Sequence, residues 1–468
     1  MNKKVLEYNK YLGDKKIAII GAGVSNIPLI SYMANLSKDV VLFDKNELSV
    51  EVMDLVNKYN IGTSVGEDYL KKLVGFDVIF RSPSCLPNNE YLKAEKERGA
   101  VITTEVEEVI KLAPCKVIGI TGSDGKTTTT TLISIILERL GYNVFTGGNI
   151  GKPIFVNMDK VKEDDIIVLE LSSFQLMDMS VSPDISVITN ISPNHLDIHS
   201  SYQEYIDAKK CIFKHQNKDS ILVLNYDDEL VRSFAKESNS LIRYFSSKEK
   251  LKDSYVILDD KIMYNDDEII NVNDLKIKGR HNYINICTAL SAIKDYITDM
   301  DKVIDIIKEF PGVNHRIEFV REINGVKWYN DSASSTPTRT IAGIYAFNEP
   351  IILIAGGYDK NIPYDVLSKP ILEKVRVLIL FGNTKNKIYD AVMKEKKKVS
   401  DSNLQIYVMD TLDEVIDVAY QVAKSGEVVL FSPASASFDM FKNAYQRGDI
   451  FKEKVMNIKN TEYVNNFV

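Results

Sequence analysis

The chain has 468 residues, 45% hydrophobic and 26% charged, an ordinary composition for a folded soluble protein with room for two to four domains of ~100–200 residues. Its 58 Lys and Arg against 65 Asp and Glu leave a formal charge of −7, which argues against non-specific nucleic-acid binding, a property of basic surfaces. Cys85, Cys115, Cys211 and Cys287 form no CxxC pair and are expected as reduced, mostly buried thiols. Charged residues near the start in place of an apolar signal core, and no apolar run of the ~18–20 residues a membrane helix needs, point to a cytoplasmic protein without a membrane partner.

In chain order, short β-branched runs alternate with stretches of helical period. Candidate strands are Ile17–Ile20, Val40–Phe43 and Val78–Phe80, then Val117–Ile120, Ile166–Leu169, Ser186–Thr189 and Ile221–Leu224. Later ones are Ile351–Ala355, Val377–Phe381, Gln405–Val408 and Val428–Phe431. Nearly continuous apolar strands separated by helices predict parallel sheets covered on both faces. Around Tyr255–Leu275 the rhythm changes to short strands with Asp and Asn turns, which predicts a small antiparallel insert. A helical stretch, Glu105–Leu112, stops at Pro114, and another from about Lys302 stops at Pro311-Gly312. These breaks suggest three α/β domains: 1–110, 111–312 and 313–468.

The sharpest local signal is Thr121-Gly122-Ser123-Asp124-Gly125-Lys126-Thr127-Thr128, where an apolar strand runs through a Gly-bearing loop into a helix. Backbone N–H groups at such a helix start cradle phosphate oxygens, and glycines allow close approach. Lys126 can reach the β- and γ-phosphates, and the Thr127 hydroxyl can ligate Mg²⁺. Glu170 follows another apolar strand, a good place for a metal-holding carboxylate beside a phosphate loop. The general GxxxxGK[ST] pattern would put glycine at position 120, which is Ile120, so the loop is a shorter variant.

That shorter loop resembles the one in Mur ligases and folylpolyglutamate synthetases, which form amide bonds at the expense of ATP. Further segments are similar: Asn149-Ile150-Gly151, Glu170-Leu171-Ser172-Ser173-Phe174-Gln175, Asn190 through His195 to Asp197, and Gly279-Arg280-His281-Asn282. The last domain adds His315-Arg316-Ile317-Glu318, Asn330-Asp331-Ser332, Gly356-Gly357 with Lys360, and the run Ser432 to Asp439. With the Gly21-Ala22-Gly23 start and Asp44, the resemblance to the Mur ligases spans the whole chain, and the Lys360 and Ser432–Asp439 elements point to the branch that adds D-glutamate.

The resemblance implies three domains: Rossmann-like and UDP-binding, then a P-loop ATPase type with a mostly parallel sheet, then Rossmann-like again. It implies ATP, two Mg²⁺ ions and a carbamate on Lys209, with UDP-N-acetylmuramoyl-L-alanine and D-glutamate as substrates in peptidoglycan synthesis. A monomer is expected. Nucleotide would be held by the phosphate loop from Gly122 to Thr128, with Asn149, Asn282, Arg316 and Asp331; metal by Thr127, Glu170, His195 and Lys209. Substrate contacts would fall on Val24, Ser25, Asp44, Ser82, Asn149, Ser172, His195, Ser335, Lys360, Ser437 and Phe438. Lys126, Glu170, His195 and Lys209 would form the catalytic set. Against the family pattern, Ser84 replaces a Gly, Asn194 an Asp, Ala333 a Lys and Ala444 a Phe. Rival readings are a Mur-type or folylpolyglutamate-type ligase with another acceptor, an NAD-dependent oxidoreductase built on the partial GxGxx start, and a non-catalytic ATP-binding protein.

Overall fold

The computed structural model describes residues 2–23, 26–195, 198–398 and 403–458. Val24 and Ser25, expected in substrate contacts, and Asp197 lie outside the described residues.

Three sheets follow one another along the chain. The first holds β1 (Ile17–Ile20), β2 (Val40–Asp44), β3 (Gly62–Val65), β4 (Val78–Arg81) and β5 (Val101–Thr103) in the order β3-β2-β1-β4-β5, all parallel. The second begins with β6 (Lys116–Thr121), β7 (Val144–Gly148), β8 (Ile166–Glu170), β9 (Ile185–Ile188), β10 (Ile221–Asn225) and β11 (Leu241–Ser246). It continues into β12 (Tyr255–Leu258), β13 (Lys261–Tyr264) and β14 (Asp267–Asn271), the expected antiparallel insert. Its order is β14-β13-β12-β11-β10-β9-β6-β8-β7. The third holds β15 (Glu318–Ile323), β16 (Val326–Asn330), β17 (Ile351–Gly356), β18 (Val375–Phe381), β19 (Gln405–Val408) and β20 (Val428–Phe431), ordered β15-β16-β20-β17-β18-β19.

The candidate strands are all present, with β9 one residue earlier than expected. Those not anticipated lack the continuous apolar signal. β7 reads Val-Phe-Thr-Gly-Gly, β3 reads Gly-Thr-Ser-Val, and β15 and β16 form a hairpin of mixed polarity. Asn324 and Gly325 turn that hairpin with φ of +51° and +75°, the two left-handed positions that a tight two-residue loop demands.

The chain forms two compact units, 1–273 with 284–307, and 274–283 with 308–468. The expected break at 110/111 therefore separates two sheets but not two units. In the first unit one apolar core runs from Val5 to Phe234. Phe155, fully buried, meets Tyr8, Tyr32 and Phe80 edge-on at centroid distances of 6.2, 5.4 and 6.0 Å. Burying such a ring contributes roughly 1.5–3 kcal/mol, so the helix Lys3–Gly13 and the first sheet are locked onto the second. In the second unit, Ile351, Leu353 and Ala355 of β17 point into one core while Ile352 and Ile354 point into the other. Both faces of that sheet are covered, as its uninterrupted apolar strands require. No helix among the described residues is long and apolar enough to cross a membrane.

Candidate functional site

The phosphate loop joins β6 to the helix Lys126–Leu140. Gly122 has φ +148°, and a side chain there would overlap Thr189 Oγ1; Gly125 has φ +82° and faces Asn285 Oδ1. Both positions need glycine, because other residues pay for left-handed backbone and have no room. The loop is strapped to the end of β9: Ser123 N donates to Asn190 O (2.9 Å), Asp124 N to Asn190 Oδ1 (3.0 Å), and Thr189 Oγ1 to Asp124 O (2.5 Å). Ser123, itself buried, pairs its hydroxyl with Tyr205 (2.8 Å) and Ser192 O (3.0 Å). The Lys126 ammonium lies back over the loop, donating to the carbonyls of Gly122 (2.8 Å) and Ser123 (3.1 Å). The loop thus presents a cation and a helix start at one point, the arrangement that holds a polyphosphate. Thr127 and Thr128 occupy the first turn of that helix.

Glu170 ends β8, two strands along from β9 in the sheet order. It is 1% exposed; Oε1 accepts from Asn149 Nδ2 (2.7 Å), whereas Oε2 is buried without a hydrogen-bond partner. A buried carboxylate oxygen without a partner gains from a cation or an ordered water placed against it, and beside a phosphate loop the donor set fits a divalent ion. Among the described residues no three His, Cys, Asp or Glu side chains converge on one point. An ion at Glu170 would therefore complete its shell with hydroxyl, phosphate and water oxygens, as Mg²⁺ commonly does. Ser172 caps the helix Ser173–Leu176 in a reciprocal box with Gln175, which gives it a structural task beside any substrate contact.

Lys209, near the end of the helix Tyr202–Lys210, is 1% exposed. Its Nζ donates to Gly122 O (2.8 Å) and Thr121 Oγ1 (3.2 Å) and lies 4.8 Å from the Tyr205 ring centroid. Burial first, and then the charge of Lys126, push its ammonium well below the usual lysine range, against the pull of Asp124 and Glu170. A buried, readily neutral amine on the phosphate loop is suited to nucleophilic addition. Lys210 instead pairs with Glu237 at the surface. His195 is exposed, has φ +56°, and sets its ring edge-on to Phe174 at 5.3 Å.

At the C-terminal ends of β1 and β4 lies a cavity of about 670 Å³ lined by Gly21, Ala22, Asn26, Asp44, Tyr69, Ser82 and Ser84, among others. Asp44 is held by the backbone N–H groups of Ala22 (2.7 Å) and Asn46 (2.8 Å). Asn26, standing where a dinucleotide fingerprint has its third glycine, is buried and donates to the carbonyls of Ile20 and Gly21, both at 3.0 Å. The amide therefore ties helix to strand where glycine would only let them approach. The Ser82 and Ser84 hydroxyls are 2.9 Å apart.

In the second unit, Asp331 is buried: Oδ1 accepts from Ile317 N (3.2 Å) and Oδ2 from Ser432 Oγ (2.7 Å). Burial pushes its carboxyl up to about 6, opposed by those bonds, by Ser334 and by the charge of Arg316. Arg316 lies between His315 (φ +64°) and Ile317 (φ +47°), a costly conformation for a β-branched residue. Asn282 donates to Lys278 O (2.7 Å) at the start of its helix. The Gly357 and Ser432–Asp439 loops are joined through Tyr358 N to Ala436 O (2.9 Å) and through Thr384 to both Gly357 N and Ser435. These loops display Lys360 and Phe438 to solvent while Ser437 is buried; Ser335 is half-buried. Ala444 accepts from Ser332 Oγ (2.8 Å) through its carbonyl, a contact that no side chain at 444 alters.

Two buried arginines without an assigned role each fasten a loop of their own unit. Arg447 is fully buried and donates to Ser332, Ser435 and Ala436, with three of its bonds going to backbone carbonyls. Arg81 is 4% exposed and donates to the carbonyls of Phe174 and Met177 (3.3 and 2.7 Å). A charged residue ending the apolar strand β4, directly before Ser82, was the available sign for Arg81.

Residues 120–293 match the Mur ligase middle domain and residues 315–435 the Mur ligase, glutamate ligase domain. The UDP-N-acetylmuramoylalanine–D-glutamate ligases of Clostridium tetani and Clostridium novyi are each 46% identical to the chain, covering 98% of it and all of their own length. Among solved structures, the UDP-N-acetylmuramate-alanine ligase of Thermotoga maritima has a TM-score of 0.59 at 19% identity, covering 95% of this chain and 100% of its own. The MurF ligase of Thermotoga maritima in complex with ADP also has a TM-score of 0.59, at 15% identity, covering 95% of this chain and 99% of its own.

Proposed function

The chain belongs to the Mur ligase family, and we propose that it is the enzyme that joins D-glutamate to UDP-N-acetylmuramoyl-L-alanine with hydrolysis of ATP, in peptidoglycan synthesis. The observation that carries the reading is a phosphate loop, an unsatisfied Glu170 oxygen and a readily neutralised Lys209 in one unit of a chain that matches such ligases end to end.

A carboxylate is a poor acylating agent because oxide is a poor leaving group. The donor carboxylate therefore attacks the γ-phosphorus of ATP, ADP departs, and an acyl phosphate forms. The D-glutamate amine, neutral when it attacks, adds to the acyl carbon, and the tetrahedral adduct collapses with loss of inorganic phosphate. The protein's share is positioning and charge neutralisation. Lys126 swings from the loop carbonyls onto phosphate oxygens, and the loop amides hold the chain of phosphates in line. Mg²⁺ would be held by Thr127 and Glu170, and a second ion by His195 with the carbamate of Lys209; when bound they neutralise phosphate charge. Lys209 fits the carbamate because only a neutral amine adds CO₂. Asp44, Ser82 and Val24-Ser25 would hold the UDP end. Arg316, Asp331 and Asn282 would serve the nucleotide, and Lys360, Ser437, Phe438 and Ser335 the acceptor, with the cation and hydroxyl meeting its side-chain carboxylate. The enzyme works as a monomer in the cytoplasm, where ATP and UDP-linked precursors are made.

The test is phosphate release by the purified chain with ATP, Mg²⁺ and the UDP-linked donor, adding amino acids one at a time. Release that requires D-glutamate is the expected result. Release with a different amino acid overturns the acceptor assignment, and none with any acceptor overturns the ligase reading.

A further inference from the structure

The helix Glu105–Leu112 joins the first sheet to the second, and its Glu105, Glu107 and Glu108 are all buried. Buried carboxylates persist only when hydrogen-bonded, and each of these binds a different segment. Glu105 Oε1 accepts from the backbone N–H groups of Ile154 and Phe155, both at 2.9 Å. Glu107 accepts from Ser180 N (3.1 Å) and Oγ (2.5 Å), and Glu108 from Thr103 Oγ1 (2.5 Å) and Lys111 (3.0 Å).

The Glu105 anchor falls just beyond the Asn149 loop, and the intervening chain has little slack. A side chain on Gly147 would come within 2.7 Å of the Ile154 side chain, and one on Gly151 within 2.7 Å of the Thr146 carbonyl. Gly148 packs against the Glu170 backbone so closely that any Cβ would overlap its carbonyl. Across that turn Asn149 binds Glu170 twice, N to O and Nδ2 to Oε1, both at 2.7 Å.

We infer that Glu105 is a positioning residue for the reaction: it fixes the Ile154–Phe155 backbone and, through the Gly147–Gly151 turn, holds Asn149 against Glu170. The inference rests on the reading of Glu170 as a Mg²⁺ ligand. Burial pushes the Glu105 carboxyl above the usual range while the Phe155 and Ile154 N–H groups oppose it, so what the anchor requires is the acceptor oxygen on which both N–H groups converge. The residue belongs to the connector between two sheets, so the donor-binding sheet and the metal-binding loop share one fastening.

The experiment is calorimetric binding of a non-hydrolysable ATP analogue to the full chain with and without Mg²⁺; the ratio of the two affinities is the Mg²⁺ enhancement. Glu105→Ala should lower the enhancement about tenfold, the usual scale for loss of a residue that orients a metal ligand, with Mg²⁺-free affinity unchanged. Glu105→Gln, which keeps an acceptor oxygen, should restore most of it. Glu107→Ala, equally buried but anchored to Ser180, should lose stability and keep the enhancement; a purely structural Glu105 would behave the same way. If Glu105→Ala does not fold, Glu105→Asp, with its shorter reach, carries the same expectation. Wild-type enhancement in the Glu105 variant, with enhancement lost in Glu170→Gln, would overturn the inference alone. Enhancement retained in Glu170→Gln overturns the metal assignment and the inference with it.

Discussion

Replacing Asp331 by Asn should change how the stability of the second unit depends on pH. The carboxyl is buried and raised from 3.8 to about 6, and a group with a raised pKa binds its proton more tightly in the folded chain. Below pH 4 it is protonated in both states and imposes no penalty. Between about pH 4 and 6 the unfolded chain ionises first, so stability falls as pH rises. Above pH 6 the full cost remains, roughly 2 units at ~1.4 kcal/mol each, or about 3 kcal/mol. The Asn variant never ionises at 331, so its stability relative to wild type should rise by most of that amount from pH 4 to pH 8. His315, lowered by burial against Asp449 and Glu318, titrates in both proteins and cancels in the difference. The reporter is built in: the chain has one tryptophan, Trp328, fully buried on β16 three residues from Asp331. Urea unfolding followed by its fluorescence reads the unit concerned. Parallel pH profiles for wild type and Asp331→Asn would refute the reasoning.

Three further outcomes are expected. Enzyme stripped of CO₂ should lose most of its phosphate-release rate and regain it on adding bicarbonate, while Lys209→Ala, inactive at the outset, gains nothing; equal rates with and without bicarbonate in wild type would exclude the carbamate. Gly122→Ala, forced to φ +148° against Thr189 Oγ1, should destabilise by about 1–3 kcal/mol and weaken nucleotide binding more than tenfold by calorimetry; near-normal binding would show that the loop tolerates a side chain. Arg447→Lys keeps the charge but not the planar fork that reaches Ser332, Ser435 and Ala436. It should cost about 2–4 kcal/mol in Trp328-monitored unfolding, and an unchanged midpoint would deny the guanidinium its fastening role.

The parts of the site that the chain's order reveals are those built from contiguous residues. The loop Gly122–Thr128 is legible because strand, glycines, lysine and helix follow without interruption, and the structure adds only why the glycines are needed. Glu170 is legible for the same reason, at the end of an apolar strand. Asp331 is different. Its place in the Asn330-Asp331-Ser332 element suggests a ligand contact, and only the fold shows that its oxygens also accept from Ile317 N and Ser432 Oγ, partners 14 and 101 positions away. Arg447 and Glu105 are not legible in the chain's order, because a charged residue in a helix ordinarily faces water and only packing reveals that these two do not, whereas Arg81 is marked by its place at the end of an apolar strand.

The sequence by itself determined the α/β class, the parallel strands, the antiparallel insert and the phosphate loop. Each depends on periodicity or steric demands within a few residues, and such demands survive in the order of side chains. The tertiary structure decided that the first two sheets share one core, that Lys209 lies dry against Thr121 and Gly122, and that Glu105 reaches the Asn149 loop. Those outcomes come from burial and from pairing across long separations. The electrostatic character of a lysine or glutamate is set by what packs around it, and the linear chain does not contain its own surroundings.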